Sequence, residues 1–456
     1  MLFRSNPVTN EVWRVIHVNN SASGPGDGTA ANPYTTIAAA NAAATNPHDV
    51  VFVAAGSGTY SQSAPFTPLA AHQYFIGDGA NFCLASCCGP INIASGATRP
   101  TISNPSGASV VLNGGLTTAN FIVRGSRIGV QAGPGLPVGD TATVANYQIL
   151  ASGSGPQTGI ELLNTGGNVN VTNTLVQNMR DVGIRVNGVA PSTNQAPNLT
   201  FQGSLINSGT AGGGTSPIIE VKNTLGGGGG DIRIAAGPTP AFYKAGDCPD
   251  GVPTTVPNLV SDTGGGGVVI DNSDSNVVID NITLANTQGT AVSVLGSGGS
   301  VTIGANGPAT ITNPTNGSIL VQGGDSNVLY RGSITNSAGN AVKVDGTTGG
   351  SVTVTNPSGT STETGLGLVV QNSSGDVLIE KFKVTSQQAG LLVQNNTFSG
   401  ATGGVFRNLT ITGTSASAPG VSLSNNTGPI GLENVAVTTK NATGFLRSEE
   451  HTSELQ

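Results

Sequence analysis

A unit of 50 residues recurs along this chain and constrains its fold more than any other feature. Gly267-VVIDNSDSNVVIDNITLANTQ, Gly317-SILVQGGDSNVLYRGSITNSA and Gly367-LVVQNSSGDVLIEKFKVTSQQ begin 50 residues apart and share a Gly, an apolar triplet, a polar turn, a second apolar triplet and a third. Between them lie Gly289-TAVSVLGSGGSVTI, Gly339-NAVKVDGTTGGSVTV and Ala389-GLLVQNN, so each unit consists of two turns, of 22 and 28 residues. The same pattern appears at Gly159-IELLNTGGNVNVTNTLVQN, Gly183-IRVNG, Gly420-VSLSNNTGPIGLENVAV and Gly444-FL. A strand of three to five residues cannot bury its apolar face alone, but turns stacked on one another build a continuous core. The fold expected is all-β, a right-handed parallel β-helix (solenoid).

Composition supports this and narrows the function. Charged residues make up 9% of the chain, against about 25% in ordinary domains. The chain has 17 Lys and Arg against 24 Asp and Glu, so no basic stripe is available to neutralise phosphates, and nucleic acid is excluded as a partner. No apolar run reaches the roughly 18 residues of a membrane-spanning helix, so no transmembrane helix is expected in this fragment. The ends read as foreign. RSEEHTSELQ, from Arg447 to Gln456, back-translates to a common short-read sequencing adapter, and MLFRS back-translates, with a GTG start, to the reverse complement of its opening. The expected domains are therefore 1–5, adapter-derived; 6–80, N-terminal cap and first coil; 81–446, the β-helix, truncated at its C-terminus; and 447–456, adapter-derived. Without those ends Lys and Arg fall to 15 and Asp and Glu to 21, a net charge of −6.

Asn at turn positions such as Asn281, Asn313, Asn336, Asn356, Asn408 and Asn434 tolerates left-handed geometry and is expected to form ladders from coil to coil. Near the start, Asn32-Pro33 offers an N-cap followed by Pro, ahead of the Ala-rich Tyr34-TTIAAANAAAT. This predicts a short N-terminal capping helix that ends at Asn46-Pro47. Pro134 to Asp140, Pro191 to Pro197 and Phe242 to Pro257 break the rhythm and are expected to project as loops.

The opening segment resembles that of bacterial pectin-lyase-like right-handed β-helix proteins. The resemblance rests on Asp27-Gly28-Thr29, Asn32-Pro33-Tyr34-Thr35-Thr36-Ile37, the strand Val50 to Val53, and Gly58-Thr59-Tyr60. More narrowly, Val12 to Tyr60 is similar to β-helix regions that follow the outer-membrane barrel of inverse-autotransporter-type surface proteins. The resemblance implies a secreted or surface-displayed module, with the full-length protein anchored in the outer membrane.

Polysaccharide-cleaving members of that superfamily need a carboxylate pair, or a calcium held by clustered Asp beside a basic residue. The sequence contains no Asp-Asp pair. The best acidic candidates are Asp271 and Asp274, with Asp325 and Asp376 at related positions. Two coils apart, such positions lie roughly 10 Å from each other, too far to share an ion, so they read as solvated turns, with calcium the one cofactor they would suit. Asp280, Arg331 and Glu380 occupy comparable places with varying charge and read as outward-facing. His17, His48 and His72 do not share a helix turn and read as ordinary polar residues. Cys83, Cys87, Cys88 and Cys248 are expected to form two disulfides, with three pairings open. No residue is assigned to catalysis, to a cofactor or to a metal. The function expected is a non-enzymatic extracellular or cell-surface stalk, adhesin-like and contacting extracellular polysaccharide; the alternative is a polysaccharide lyase or glycoside hydrolase.

Overall fold

The computed structural model describes residues 3–5, 12–78, 83–84, 91–92, 98–151, 157–188, 197–207, 216–224, 230–234, 259–335, 337–357, 367–400 and 402–448. They fall into two compact units. One comprises the described residues up to 206, the other those from 207 onward. Each is a parallel β-helix.

In the second unit most turns contribute three short strands, and in the last two the second and third merge into Gly404–Gly413 and Ile430–Thr439. Val268–Asp271, Asn276–Ile279 and Ile282–Ala285 form one turn, and Thr290–Leu295, Ser300–Ile303 and Ala309–Thr312 form the next. Each strand pairs in parallel with its counterpart one turn later. The register runs Val268, Val292, Ile319, Val342, Leu368, Leu391, Val421. All seven are buried. Two residues along each strand a second buried column runs Ile270, Val294, Val321, Val344, Val370, Val393, Leu423. Period-two alternation places these side chains inside and their neighbours outside. Gly317 and Gly367 share a column through Asn340, two turns apart, and Gly267 stands immediately before Val268. Gly267 has φ +71°, and a Cβ there would lie 2.1 Å from the Ala291 carbonyl oxygen. The close stacking of turns requires glycine at this point.

Polar residues at the inside corners are paired from turn to turn. The Thr347 N–H donates to Ser373 Oγ at 3.3 Å, Ser373 N–H to Asn396 Oδ1 at 2.9 Å, and Asn396 N–H to Asn426 Oδ1 at 3.1 Å. The backbone N–H groups of these corners are satisfied by a side chain one turn on, whereas the buried Thr347 hydroxyl has no hydrogen-bond partner. The Asn ladders are present as well. Asn281, Asn313, Asn408 and Asn434 have φ between 50° and 56°. Asn313 Nδ2 donates to Asn286 Oδ1 at 3.2 Å, and Asn434 Nδ2 to Asn408 Oδ1 at 2.9 Å. Asn356 departs from the expectation: it is buried, is absent from the left-handed positions and donates to the Ile334 carbonyl. Asn336 lies outside the described residues.

The first unit carries a ladder not anticipated, in which Asn146 Nδ2 donates to Asn120 Oδ1 and Asn173 Nδ2 to Asn146 Oδ1. Its interior holds an aromatic file. Phe66 stacks on Phe75 with ring centroids 4.0 Å apart, Phe75 on Phe121 at 4.3 Å, and Phe121 meets Tyr147 at 5.6 Å. The predicted helix forms over Ile37–Ala43, but its N-cap is Thr36, whose hydroxyl accepts from Ala39 N–H, and not Asn32. Tyr34 is held instead in a bridge to Val18, and the Asn32 carbonyl accepts from Asp27 and Gly28, so the chain cannot turn helical until Thr36. Arg14 anchors the far end of the helix: its guanidinium donates to the Ala43 carbonyl and to the buried Asp49 carboxylate. Pro134 to Asp140 is a pair of tight turns tied down by the buried Leu136, with Val138 exposed at its tip. Pro191 to Pro197, except for its last residue, and Phe242 to Pro257 lie outside the described residues.

Candidate functional site

The outward columns carry the chemistry. In the second unit Gln322, Asp345, Gln371 and Gln394 face each other across successive strands. Gln371 Nε2 donates to Asp345 Oδ2 at 2.9 Å, and Gln394 Nε2 donates to Gln371 Oε1 at 3.2 Å. Asn372 Nδ2 and Lys343 Nζ also reach the Asp345 carboxylate, at 3.1 and 3.0 Å. Partial burial pushes that carboxyl upward, but the hydrogen bonds from Asn372, Lys343 and Gln371 outweigh it and hold the group below the usual carboxylate range. Beside this ladder runs a column that includes Leu320, Lys343 and Leu392. The face therefore combines amides at the interstrand repeat of about 4.8 Å with half-exposed aliphatic side chains.

In the first unit, strand register aligns Gln131, Glu161 and Arg185. Arg185 Nη1 lies 3.1 Å from Asp181 Oδ2 and 3.5 Å from Glu161 Oε1, and Gln131 Nε2 donates to Glu161 Oε2. Two carboxylates thus approach one guanidinium. Their oxygens are engaged by Arg185, by Gln131 and by the Thr158 hydroxyl, so the group chains together consecutive turns. Sequence reading missed it because Glu161 and Arg185 are one solenoid turn apart, a spacing that matches no local motif.

The acidic candidates are partly rearranged. Asp274 and Asp325 are closer than their backbone spacing implied: oxygens of the two carboxyls lie 2.8 and 3.0 Å from the place that a Cβ on Gly298 would fill. They lean together over the glycine of the intervening turn, which two-coil arithmetic could not show. Asp376 accepts from Gly403 N–H at 2.8 Å, and Asp271 lies in the same outward column as the amide ladder. Among the described residues no three His, Cys, Asp or Glu gather as a metal cage. Asp280 is a correction. It is buried at the bend after Ile279, where it accepts from the backbone and side chain of Asn306. Arg331 is exposed as expected, in one column with Glu380. Glu380 is not unconstrained, because Arg407 Nε donates to it at 2.6 Å and Thr355 at 3.0 Å. Burial raises the Glu380 carboxyl, and those bonds with the charges of Arg407 and Lys381 more than reverse the shift.

His48 and His72 are also brought together, their rings stacked with centroids 5.6 Å apart. Their separation of 24 positions amounts to one coil, the period that matters in this fold. His17 meets the edge of Phe52, and burial lowers its pKa. Cys87, Cys88 and Cys248 lie outside the described residues, so the disulfide expectation does too; the backbone of Cys83 pairs with that of Asn92.

No family model and no curated protein matches the chain. Among solved structures it is similar to the GH136 lacto-N-biosidase from Eubacterium ramulus. The native form is 11% identical, with 97% of this chain and 68% of that chain covered and a TM-score of 0.21. The selenomethionine derivative is 10% identical, with 97% and 67% covered and a TM-score of 0.23. A likeness of that degree adds nothing to the fold derived from strand register, and no role passes from it to any residue here.

Proposed function

We propose that the protein is a carbohydrate-contacting β-helix of the cell surface or extracellular space, a stalk or adhesin-like module that binds without cleaving. The observation that carries this is the ladder Gln322, Asp345, Gln371, Gln394, a row of amides and a carboxylate beside aliphatic side chains. Such a row offers hydroxyl-rich polymers repeated hydrogen-bond partners and an apolar strip for ring faces. In the same proposal the module is presented by a longer protein anchored in the outer membrane. Binding to an array of extracellular polysaccharides tests it: the wild type retains at least one polymer, and Gln371→Leu with Gln394→Leu weakens that retention at least tenfold. Wild-type protein that retains none would remove the reading.

A second reading, a polysaccharide lyase or glycoside hydrolase, is favoured by one observation, the approach of Glu161 and Asp181 to a common guanidinium. It requires that incubation with polysaccharides releases reducing or unsaturated ends, and that Glu161→Gln abolishes the release.

A further inference from the structure

Left-handed backbone at the corners of the solenoid is supplied almost entirely by one side chain. Of the nineteen residues other than glycine with positive φ among the described residues, sixteen are Asn. The exceptions are Lys381 and two consecutive corners of the first unit, His48 at φ 61° and His72 at φ 55°. Asn would have met the backbone requirement at both. Strand register sets the two His one above the other, because Val50 pairs with Tyr74 and each His stands two residues earlier. Their backbones are tied to the next turn as well, His48 N–H donating to the Ala71 carbonyl and His72 N–H to the Gly114 carbonyl. One turn further the same position is Gly115, where a Cβ would lie 2.7 Å from His72 Nδ1. Glycine there leaves room for the imidazole that a side chain would crowd. The two rings do not pack tightly on each other. Their centroids are 5.6 Å apart with planes 16° from parallel, whereas Phe66 on Phe75 and Phe75 on Phe121 in the same unit close to 4.0 and 4.3 Å. His72 is exposed and His48 half-buried, so the pair is reachable from solvent.

We propose that His48 and His72 form a two-imidazole site for a divalent transition-metal ion, copper or zinc, which clips together two successive turns of the first unit. Metal–nitrogen distances of about 2.0–2.1 Å put the centroids of two imidazoles on one ion about 5–6 Å apart, the separation these rings already have. Rotation about the Cβ–Cγ bonds, a broad torsion in His, is the adjustment that aims one nitrogen of each ring at a common point. Neutral imidazole suits copper, nickel and zinc, whereas calcium and magnesium take oxygen ligands. Among the described residues no third His, Cys, Asp or Glu joins the pair. The neighbouring Asp49 carboxylate is held by Arg14. Water therefore completes the coordination, and affinity follows the general order in which copper exceeds zinc. The site is independent of the carbohydrate reading.

The test is calorimetric titration of copper(II) and of zinc(II) into the full chain with its thiols alkylated, with pulsed EPR of the copper complex and thermal melting with and without metal. The variants are His48→Asn, His72→Asn and the double substitution, chosen because Asn suits the left-handed backbone at both corners. In the wild type we expect both ions to bind, an EPR signature of two imidazole nitrogens on copper, and a higher melting temperature with metal, since an ion that binds only the folded chain stabilises it. Each single variant loses at least tenfold in affinity with an unchanged metal-free melting temperature, and the double variant loses the two-imidazole signature. A wild type that binds neither ion, a signature of one imidazole or none, loss of affinity in only one single variant, or persistence of the signature in the double variant overturns the inference. Should a variant melt lower without metal, the wild-type EPR decides: two imidazoles sustain the site and fewer remove it.

Discussion

Asp262 is fully buried on the strand Leu259–Thr263, where its carboxylate accepts from Gly265 N–H at 3.2 Å and Gly267 N–H at 2.8 Å. Burial pushes this carboxyl above its ordinary value, and the hydrogen bonds from Gly267, Gly265 and Asn207 recover only part of the shift. The role is structural, because the bonds hold the turn that delivers Gly267 to its tight contact with Ala291. Asp262→Asn would direct an amide N–H at a backbone N–H, and we expect a loss of about 1–3 kcal/mol, read as a lower urea midpoint at neutral pH. The sign of the pH dependence follows from the raised value. A folded pKa above the unfolded one gives a contribution that is full below the unfolded value and lost as pH rises through the folded one. The gap between wild type and variant should therefore widen on acidification through that window, and a gap that narrows there would refute the assignment.

At the scale of the element, the turns are set by left-handed Asn and by side-chain ladders, and the two contributions can be separated. Asn408 has φ +56° and its Oδ1 accepts from Asn434. Asn408→Ala loses both the tolerated backbone geometry and the ladder bond, whereas Asn408→Gly loses only the bond. We expect the alanine variant to be less stable by about 1–2 kcal/mol and the glycine variant to recover most of that difference in chemical denaturation. Equal stabilities would show that backbone geometry contributes nothing at this corner. The helix Ile37–Ala43 obeys the same logic of local satisfaction: Thr36 caps one end and Arg14 binds the other, so seven residues persist as a helix by side-chain partners and packing of Ile37 and Ala40. So short a helix would not be stable alone.

For the molecule as a whole, each unit is a stack in which a turn touches only its neighbours, so damage should spread only locally. Phe75 is completely buried between Phe66 and Phe121. Phe75→Ala removes the middle of that file and should cost about 3–5 kcal/mol. Hydrogen exchange should accelerate in Val50–Val53, Tyr74–Gly77 and Thr117–Ala119 and stay unchanged in the strands from Val268 onward. Uniform acceleration throughout the chain would contradict nearest-neighbour stabilisation.

The all-β stacked fold was legible in the chain itself. Glycines 50 residues apart and alternating triplets specify which residues turn inward, because burial of Val268, Ile319 and Leu368 in one file follows from period two and from the repeat of two turns every 50 residues. The capping helix was legible too, although its start was displaced by the Tyr34 bridge to Val18, a long-range pairing that local cap preferences do not register. What only the tertiary structure decided are the contacts between side chains on successive turns: His48 on His72, Asp274 towards Asp325 over Gly298, and Glu161 and Asp181 on Arg185. The physical reason is that a repeat determines the column a residue occupies, whereas the reach and rotamer of each side chain, and the glycine or bulk beside it, determine which atoms meet.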